Sequence, residues 1–438
     1  MAKYKGKNKP ELQTNKIVPD LIPVIPAVVI AFLVLVWTLI VYQNYFANPS
    51  YSISLAAVPH FFTASVSPGA NLQQIVSTQI NHCLALILTA GLFLAMTGYG
   101  LLIWRRLNLT ITSISETLLF ACGIGTGITI LTILIIGMSG FFYAGVVYCW
   151  VAAGLVLFFC LAAVMYKTIP PQPGERKKSR DGINFVLWTV LAISVAINFI
   201  SALTPETFYD SLVYHLSIPQ QWIYNHKIAP IETIHMSFYP LNIQLLYGIG
   251  LMLMDEKVAK LIHFGFYCLT ITAILLAGKK IFSYRAGLCA ALIFATIPLS
   301  MFISWRTGIE HGLAFFETLA LFAFLNALAA GMPSEQPQPE RNKFLWLVLC
   351  SAFVGLAIGG KYTSLLSLLS LLATFGFVSF IIYRQKFSAG LKHCLLIIIP
   401  CLIVISPWFG RNLIIKGNPL YPFSWHKDVQ MQTKGTNA

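Results

Sequence analysis

Acidic residues are scarce in this sequence, yet two of them lie close to a histidine in one short stretch between apolar runs. The chain has 15 aspartates and glutamates among 438 residues. The stretch PETFYDSLVYHL (205–216) contains Glu206, Asp210 and His215. A carboxylate at a membrane face is partly desolvated, which favours its uptake of a proton and suits it to act as a general base. Solvated loop charges are the alternative interpretation of the same pattern.

The spacing within this stretch also makes a structural prediction. On a helix that begins near residue 205, Glu206 and Asp210 are four positions apart and share one face. The loop that contains them, 204–240, is rich in aromatic residues such as Tyr209, which are common at the headgroup level of a membrane. We therefore expect a short helix at the membrane surface that presents both carboxylates together.

Three later stretches place ionisable groups beside the ends of apolar runs: SWRTGIEHG (304–312), GLAIGGKYTS (355–364) and WFGRNLIIKGNPLYPF (408–423). Arg306 and Glu310 in the first could simply pair within a polar turn. Lys361 in the second could extend its ammonium group to the membrane surface or meet a lipid phosphate at the same depth. Arg411 in the third follows the last apolar run directly. Each stretch therefore has a structural and a functional interpretation.

The composition is that of an integral membrane protein. Hydrophobic residues make up 57% of the chain and charged residues 10%, whereas a soluble domain has about 25% charged residues. Apolar runs of about 20 residues can span a bilayer. Eleven runs are read as spans: 21–43, 83–104, 115–138, 141–166, 184–203, 257–278, 284–304, 313–331, 344–360, 363–383 and 394–409. The run 241–254 is too short to span and is predicted to be an interfacial or re-entrant helix.

The net charge of +14 is distributed by loop, and the loops alternate. Six segments hold 20 of the 29 lysines and arginines: 1–20, 105–106, 167–182, 279–285, 332–343 and 384–392. The positive-inside rule places these segments and the N-terminus in the cytoplasm, and the loop 204–256 and the C-terminus outside. Anionic lipid headgroups satisfy such basic loops, so the charge predicts membrane lipid as a partner and not nucleic acid.

Neither a disulfide framework nor a metal signature is visible. The nine cysteines lie in or beside apolar runs and form no CxxC pair. His215, His235 and Glu206 could ligate a metal, but their spacing matches no known ligand pattern. We therefore assign no residues as metal ligands. Whether the reaction uses a divalent metal ion as a cofactor stays open. Residues 1–182 form a predicted N-terminal block of four spans, and 183–438 form a second block with most of the outward-facing ionisable groups.

The order of these stretches resembles the GT-C fold membrane glycosyltransferases that use polyprenyl-phosphate sugars. These include the protein O-mannosyltransferases, the lipid A aminoarabinose transferases and many bacterial relatives. PETFYDSLVYHL matches the acidic outer loop, and YPLNIQLLYGIGLML (239–253) matches the short helix after it. RTGIEHG and GLAIGGKYTS match the second outer turn and a later span that ends in lysine. RNLIIKGNPLYPF is similar to a stretch that is typical of the bacterial relatives.

The resemblance covers roughly 184–423 and implies an all-α, polytopic transmembrane helical bundle with short juxtamembrane helices in the outer loop. It departs from the pattern at Ser211, where these enzymes often have a second acid after the first. The chain also ends 15 residues after NPLYPF, where relatives commonly continue. We therefore expect a short or truncated member, located in a bacterial cytoplasmic membrane with its active site on the outer face.

The implied reaction moves a sugar from a polyprenyl phosphate to an unknown acceptor, which could be a lipid, a glycan or a protein. Its expected residues are Asp210 as general base and Glu310 as a second catalytic acid. Residues expected to bind substrate are Lys361 and Arg411 at the leaving phosphate, with Arg306, His215 and Tyr209. Two other classes of protein stay open. One is a transporter or flippase that moves a lipid-linked or small polar substrate. The other is a membrane subunit without catalytic activity.

Overall fold

A computed structural model of the chain describes residues 27–47, 71–109, 113–168, 182–330, 340–382, 384 and 387–423. These residues form helices and connecting turns, with no β-strand among them. In chain order the α-helices are α1 Ala27–Ala47, α2 Leu72–Leu107, α3 Ile114–Met138, α4 Ala144–Thr168, α5 Gly182–Ala202, α6 Ser217–Tyr224, α7 Asn242–Leu253, α8 Glu256–Ile281, α9 Tyr284–Thr296, α10 Pro298–Ser304, α11 Glu310–Ala330, α12 Glu340–Ile358, α13 Leu365–Gly376 and α14 Phe387–Lys416. The expected all-α, polytopic bundle is confirmed.

Four shorter helical segments complete the description: two π-helical segments, Ser211–His215 and Phe377–Ile382, and two 3₁₀ turns, His235–Phe238 and Tyr362–Ser364. One hydrophobic core includes residues from both predicted blocks, such as Phe120 and Phe266. The division of the chain at residue 182 stays a prediction.

Nine of the described helical segments are long and apolar enough to cross a membrane, and they coincide with nine of the eleven predicted spans. The predicted span 284–304 is instead two helices, α9 and α10, which meet at an angle of 67°. Pro298 begins α10, and a proline disfavours the helical conformation of the residue before it. Ile297 accordingly has an extended ψ of 125°, so the sequence itself explains the bend.

The first predicted span, 21–43, is only partly matched. Helix α1 covers residues 27–43 of it, but the apolar helix Ala31–Asn44 within α1 is shorter than the other spans. Residues 21–26 lie outside the described residues. The described part of the chain therefore has nine candidate spans, or ten when the bent pair is counted as one, against the eleven predicted.

Described residues from two of the basic segments, 279–285 and 332–343, lie at the same end of the bundle. The Lys280 ammonium group, at the end of α8, lies 2.8 Å from the Glu116 carboxylate at the start of α3. Arg341, at the start of α12, donates a hydrogen bond of 2.9 Å to the carbonyl of Leu107, at the end of α2. These contacts bring the ends of four helices together, so the loop 204–256 lies at the opposite end. The positive-inside rule predicts that the basic end is cytoplasmic, and this orientation stays a prediction.

Helix α7 lies inside the protein, not on a membrane surface. Ten of its twelve residues are buried. A Cβ atom at Gly250 would lie 3.1 Å from the backbone nitrogen of Ala259, so the two helices α7 and α8 approach closely there. Of the two alternatives for this short apolar run, the buried position fits a re-entrant helix and not an interfacial one.

Single cysteines can test the orientation of the bundle. We expect a cysteine at the exposed position of Tyr224 to react with a membrane-impermeant maleimide added to intact cells, because the loop around it is predicted to face outward. A cysteine at Arg106, at the basic end, should react after permeabilisation only. The background chain carries alanine at the exposed Cys83, Cys149 and Cys160. Labelling of the Arg106→Cys chain in intact cells would contradict the orientation.

Candidate active site

A cavity of about 530 Å³ opens at the end of the bundle opposite the basic loops. Its wall includes five of the ionisable residues selected from the sequence: Asp210, Glu310, Lys361, Arg306 and His215. These residues come from three stretches that are about 50 to 100 positions apart in the chain. Aromatic side chains form much of the remaining wall: Phe208, Tyr214, Tyr239, Phe302, Tyr362 and Phe423. Cationic, acidic and apolar side chains thus face the same cavity.

Glu206 does not share a helical face with Asp210, contrary to the spacing argument. Residues 205–208 are not helical, and the helix begins at Tyr209. The reason is the Glu206 carboxylate, which accepts hydrogen bonds of 3.0 Å from the backbone N–H groups of Thr207 and Phe208. Those donors would otherwise lie free at the helix start. Glu206 is 9% exposed and does not line the cavity.

The second oxygen of Glu206 reaches the other acid-bearing segment. It accepts hydrogen bonds from the backbone N–H of Thr307, at 2.8 Å, and from the Thr307 hydroxyl, at 3.0 Å. The Ser211 hydroxyl donates to the Thr307 carbonyl at 3.3 Å. Thr307 lies three residues before Glu310, and Ser211 directly follows Asp210. One set of buried hydrogen bonds therefore fixes the two cavity acids relative to each other.

Two further side chains hold the turn between α10 and α11. The Tyr247 hydroxyl donates a hydrogen bond to the carbonyl of Gly308. The Nε2 atom of His263, on α8, accepts the backbone N–H of His311 at 3.2 Å, and so satisfies one of the free donors at the start of α11. Glu310 stands in the first turn of that helix, where the helix dipole favours a carboxylate. The turn is thus held from several sides.

Lys361 and Glu310 form a loose ion pair inside the cavity. The Lys361 ammonium group lies 3.9 Å from a Glu310 oxygen, and the two side chains are 48% and 42% exposed. A pair with this exposure contributes about 0–1 kcal/mol. Lys361 can therefore turn to another anion at little cost.

The glycine pair before Lys361 allows this placement. A Cβ atom at Gly359 would lie 2.1 Å from the Asn242 amide nitrogen. That amide donates to the Leu356 carbonyl at 2.9 Å and accepts the Trp408 indole N–H at 2.7 Å. Asn242 therefore joins α7, α12 and α14, and the end of α12 approaches closely enough to deliver Lys361 to the cavity.

Arg306 is held at the wall by aromatic rings. Its guanidinium carbon lies 3.6 Å from the ring centroid of Phe302, 4.4 Å from that of Trp305 and 4.5 Å from that of Phe208. Such cation–π contacts orient the planar guanidinium group while leaving its charge in place. Arg306 thus gives the cavity a second cation beside Lys361.

His215 and Tyr214 are neutral groups in this wall. Burial, and then the charge of Lys361, lowers the pKa of His215 to about 3. Burial, followed by the charge of Asp210 and a hydrogen bond to it, raises the pKa of Tyr214. Near pH 7 His215 is therefore an uncharged hydrogen-bonding group, and the Tyr214 hydroxyl keeps its proton.

Two residues that were expected in the site lie outside the cavity wall. Arg411 is 7% exposed and donates hydrogen bonds of 2.8 and 3.4 Å to the carbonyls of Phe238 and Tyr239. Arg411 therefore contacts the segment that contains Tyr239 on the side that faces away from the cavity. Tyr209 is 72% exposed and does not line the cavity either.

The NPLYPF stretch closes one side of the cavity. Helix α14 ends at Lys416, and the next residue is Gly417, whose φ of +68° favours glycine and whose N–H donates to the Leu413 carbonyl at 2.9 Å. The Asn412 amide donates to the carbonyls of Phe238 and Tyr421, both at 2.9 Å. These bonds fold the segment back onto the loop so that Phe423 reaches the wall.

Among the described residues, no three histidine, cysteine, aspartate or glutamate side chains gather in an arrangement that could hold a metal ion. Both oxygens of the Glu206 carboxylate are engaged in the four hydrogen bonds given above.

Comparison with known proteins indicates the class of reaction. Residues 240–410 match the family model of the dolichyl-phosphate-mannose-protein mannosyltransferases. The match confirms the resemblance to GT-C glycosyltransferases and supports a membrane glycosyltransferase that uses a polyprenyl-phosphate sugar. It includes Arg306, Glu310 and Lys361, and it begins after Asp210. No curated protein and no solved structure matches the chain.

The role of Glu206 can be measured through stability. In Glu206→Gln one carboxylate oxygen becomes an NH₂ group that faces N–H or O–H donors. We expect a loss of about 1–3 kcal/mol in the free energy of unfolding, because a buried hydrogen-bonding group is left unpaired. Thermal unfolding of the purified protein in detergent measures the change.

The matched control is Glu232→Gln. The Glu232 side chain is 74% exposed and pairs with Lys416 at 3.2 Å, so this variant should unfold close to the wild-type temperature. Equal unfolding temperatures for the two variants would show that Glu206 does not organise the turn.

Proposed function

We propose that this chain transfers a sugar from a polyprenyl phosphate to an acceptor hydroxyl on the outer face of a bacterial cytoplasmic membrane, with Asp210 as general base. The observation that carries the proposal is the single cavity into which Asp210, Glu310 and Lys361 converge. The family match over residues 240–410 supplies the reaction class.

The proposed reaction is a single displacement. The acceptor oxygen forms a bond to the anomeric carbon while the bond from that carbon to the phosphate oxygen breaks. Asp210 takes the acceptor proton, and the phosphate oxygen leaves with the electron pair. A general base contributes about 10²–10⁴ in rate, and one displacement inverts the anomeric centre.

The leaving phosphate gains a negative charge, and two cationic side chains in the cavity wall stabilise that charge in the proposed reaction. Lys361 is paired loosely and can exchange Glu310 for the phosphate. Arg306 is oriented by its aromatic neighbours and adds a second positive charge. Cations fixed in advance at the position of developing charge lower the barrier without reorganisation.

Glu310 is the second acid of the proposed site, where it orients the acceptor or a sugar hydroxyl. His215 contributes neutral hydrogen bonds, and Arg411 supports the wall through the Phe238 and Tyr239 carbonyls. Tyr209 is exposed beside Asp210 and outside the cavity wall, and its contact with substrate stays a prediction. The sugar is a hexose or a pentose, and the acceptor is a lipid, a glycan or a protein.

The less favoured alternative is a transporter that catalyses no reaction. The acidic residue within a predicted span already has a hydrogen-bond partner. Glu317, on α11, accepts a hydrogen bond of 2.7 Å from the Ser367 hydroxyl. Such a contact satisfies the carboxylate between two helices. The cavity acids lie at the end of the bundle, whereas proton-coupled carriers usually place theirs near the membrane midplane.

Asp210→Asn tests the base. The amide keeps the size of the side chain but cannot accept the acceptor's proton. We expect the turnover of a polyprenyl-phosphate sugar, followed as release of the lipid phosphate, to fall by about 10²–10⁴, with donor binding nearly unchanged. Glu232→Gln, an exposed acid of the same outer loop, should keep the wild-type rate. Equal turnover by the wild type and Asp210→Asn would remove Asp210 from the mechanism.

Lys361→Ala tests the phosphate contact. A hydrogen bond to a charged group contributes about 1.5–3 kcal/mol, so we expect the donor's Kd to rise about 10- to 100-fold. Titration with the donor lipid in detergent gives the Kd, and the exposed Lys227→Ala is the matched control. If the donor binds Lys361→Ala and the wild type equally well, the phosphate does not contact this lysine.

A further inference from the structure

A buried polar pair in the cavity wall lacks part of its hydrogen bonding. Gln244 is 2% exposed and His215 is 4% exposed, and both line the cavity. The Gln244 Nε2 atom lies 3.0 Å from the His215 Nδ1 atom. The Gln244 Oε1 atom is buried and has no hydrogen-bond partner among the described residues. Buried polar atoms are nearly always paired with protein, water or a ligand, so this one requires a partner.

The pair offers one donor and one acceptor whichever way the amide is turned. With Nε2 toward the histidine, His215 accepts at Nδ1 and carries its proton on Nε2, and the amide oxygen is left as the acceptor. With the amide turned over, His215 donates from Nδ1 and accepts at Nε2, and the amide NH₂ is left as the donor. Both arrangements leave complementary groups on adjacent side chains. A hydroxyl group, which donates and accepts at once, can use both of them.

The pair is also held in place before any ligand arrives. The Tyr214 ring lies 4.2 Å from the His215 ring, between centroids. Gln244 stands on the buried helix α7, two residues after Asn242, whose side chain joins three helices. Polar groups that are fixed in advance discriminate well between ligands, because they cannot relax when a partner is missing.

The pair lies on the same side of the cavity as the proposed phosphate cation. The backbone N–H of Asn242, two residues before Gln244, donates a hydrogen bond of 2.9 Å to the carbonyl of Gly359, two residues before Lys361, so the two side chains come from adjoining backbone segments. A donor whose phosphate contacts Lys361 would place its sugar ring next to the amide and the imidazole. The sugar of the donor, more than its lipid, is therefore the part that meets this pair.

We propose that His215 and Gln244 form a specificity-determining subsite for one hydroxyl group of the transferred sugar. This inference rests on the proposed glycosyl transfer and adds the residues that select the sugar. A donor that lacks the recognised hydroxyl leaves both groups unpaired, and should bind about 10- to 100-fold more weakly.

The experiment compares donors on the purified wild-type protein. Polyprenyl-phosphate mannose, glucose and galactose are titrated first, and then each monodeoxy analogue of the tightest binder. The readouts are the Kd, from ligand-induced thermal stabilisation, and the release of polyprenyl phosphate. We expect one deoxy analogue to lose about 10- to 100-fold in binding, while the others lose far less.

The same series is then measured on Gln244→Met, which keeps the volume and flexibility of the side chain but removes its polar atoms. In this variant the sensitive analogue and its parent donor should bind within about threefold of each other. In Gln244→Glu the adjacent carboxylate favours a protonated His215, which donates from Nδ1 to one oxygen and leaves its Nε2–H as the donor and the other oxygen as the acceptor, so this variant should retain the discrimination. Gln220→Leu, an exposed glutamine change on the neighbouring helix α6, should behave as the wild type. Unfolding temperatures confirm that each variant is folded.

The outcomes separate the two claims. Discrimination that is lost in Gln244→Met and kept in Gln244→Glu supports the subsite. A Gln244→Met protein that still discriminates like the wild type overturns it, and so does a wild type that binds every monodeoxy analogue equally, since the unpaired amide then meets water alone. Tight binding of the donors without any release of polyprenyl phosphate would overturn the proposed transfer but leave the sugar contact in place. Absence of binding by all three hexose donors, and by polyprenyl-phosphate arabinose titrated in the same way, overturns both.

Discussion

The Glu206 carboxylate is the contact on which the site depends. It accepts four hydrogen bonds, two from its own loop and two from Thr307. All four partners are donors, so a carboxylate satisfies them and a neutral amide does not. Its loop carries Asp210, and Thr307 leads to Glu310. The separation between the two cavity acids is therefore set by a buried group that touches neither of them, and that does not face the cavity.

Similar logic holds the opposite wall. Asn242 joins three helices through its amide, and the glycines before Lys361 allow the end of α12 to approach it. Arg411 and Asn412 bind the carbonyl of Phe238. In a membrane protein the hydrophobic effect gives little direction to helix packing, so hydrogen bonds between helices and the close approach of small residues must supply it. Several of those bonds lie directly behind the cavity wall.

The sequence predicted the bundle well, because apolar runs of span length leave a membrane protein few alternatives. It also selected Asp210, Glu310 and Lys361, since ionisable groups beside apolar runs are costly and few. It could not predict the role of Glu206, because spacing treats it as a partner of Asp210 on a helix, whereas its real partner lies 101 positions away. Gln244 was missed for a related reason: a single amide in an apolar run has no pattern, and its importance appears once His215 is beside it.

The contrast between the two kinds of contact in the cavity suggests how a rigid site can still accept substrate. The groups behind the wall are buried and fully engaged, as Glu206 and Asn242 are, and breaking their bonds is expensive. The groups that face the cavity keep unused capacity for contacts: the Lys361–Glu310 pair is long and half exposed, and the Gln244 Oε1 atom has no hydrogen-bond partner among the described residues. The fully satisfied hydrogen bonds thus lie one layer of side chains behind the residues that face the cavity. The facing groups can exchange their weak contacts for a phosphate and a hydroxyl without disturbing the helices that position them.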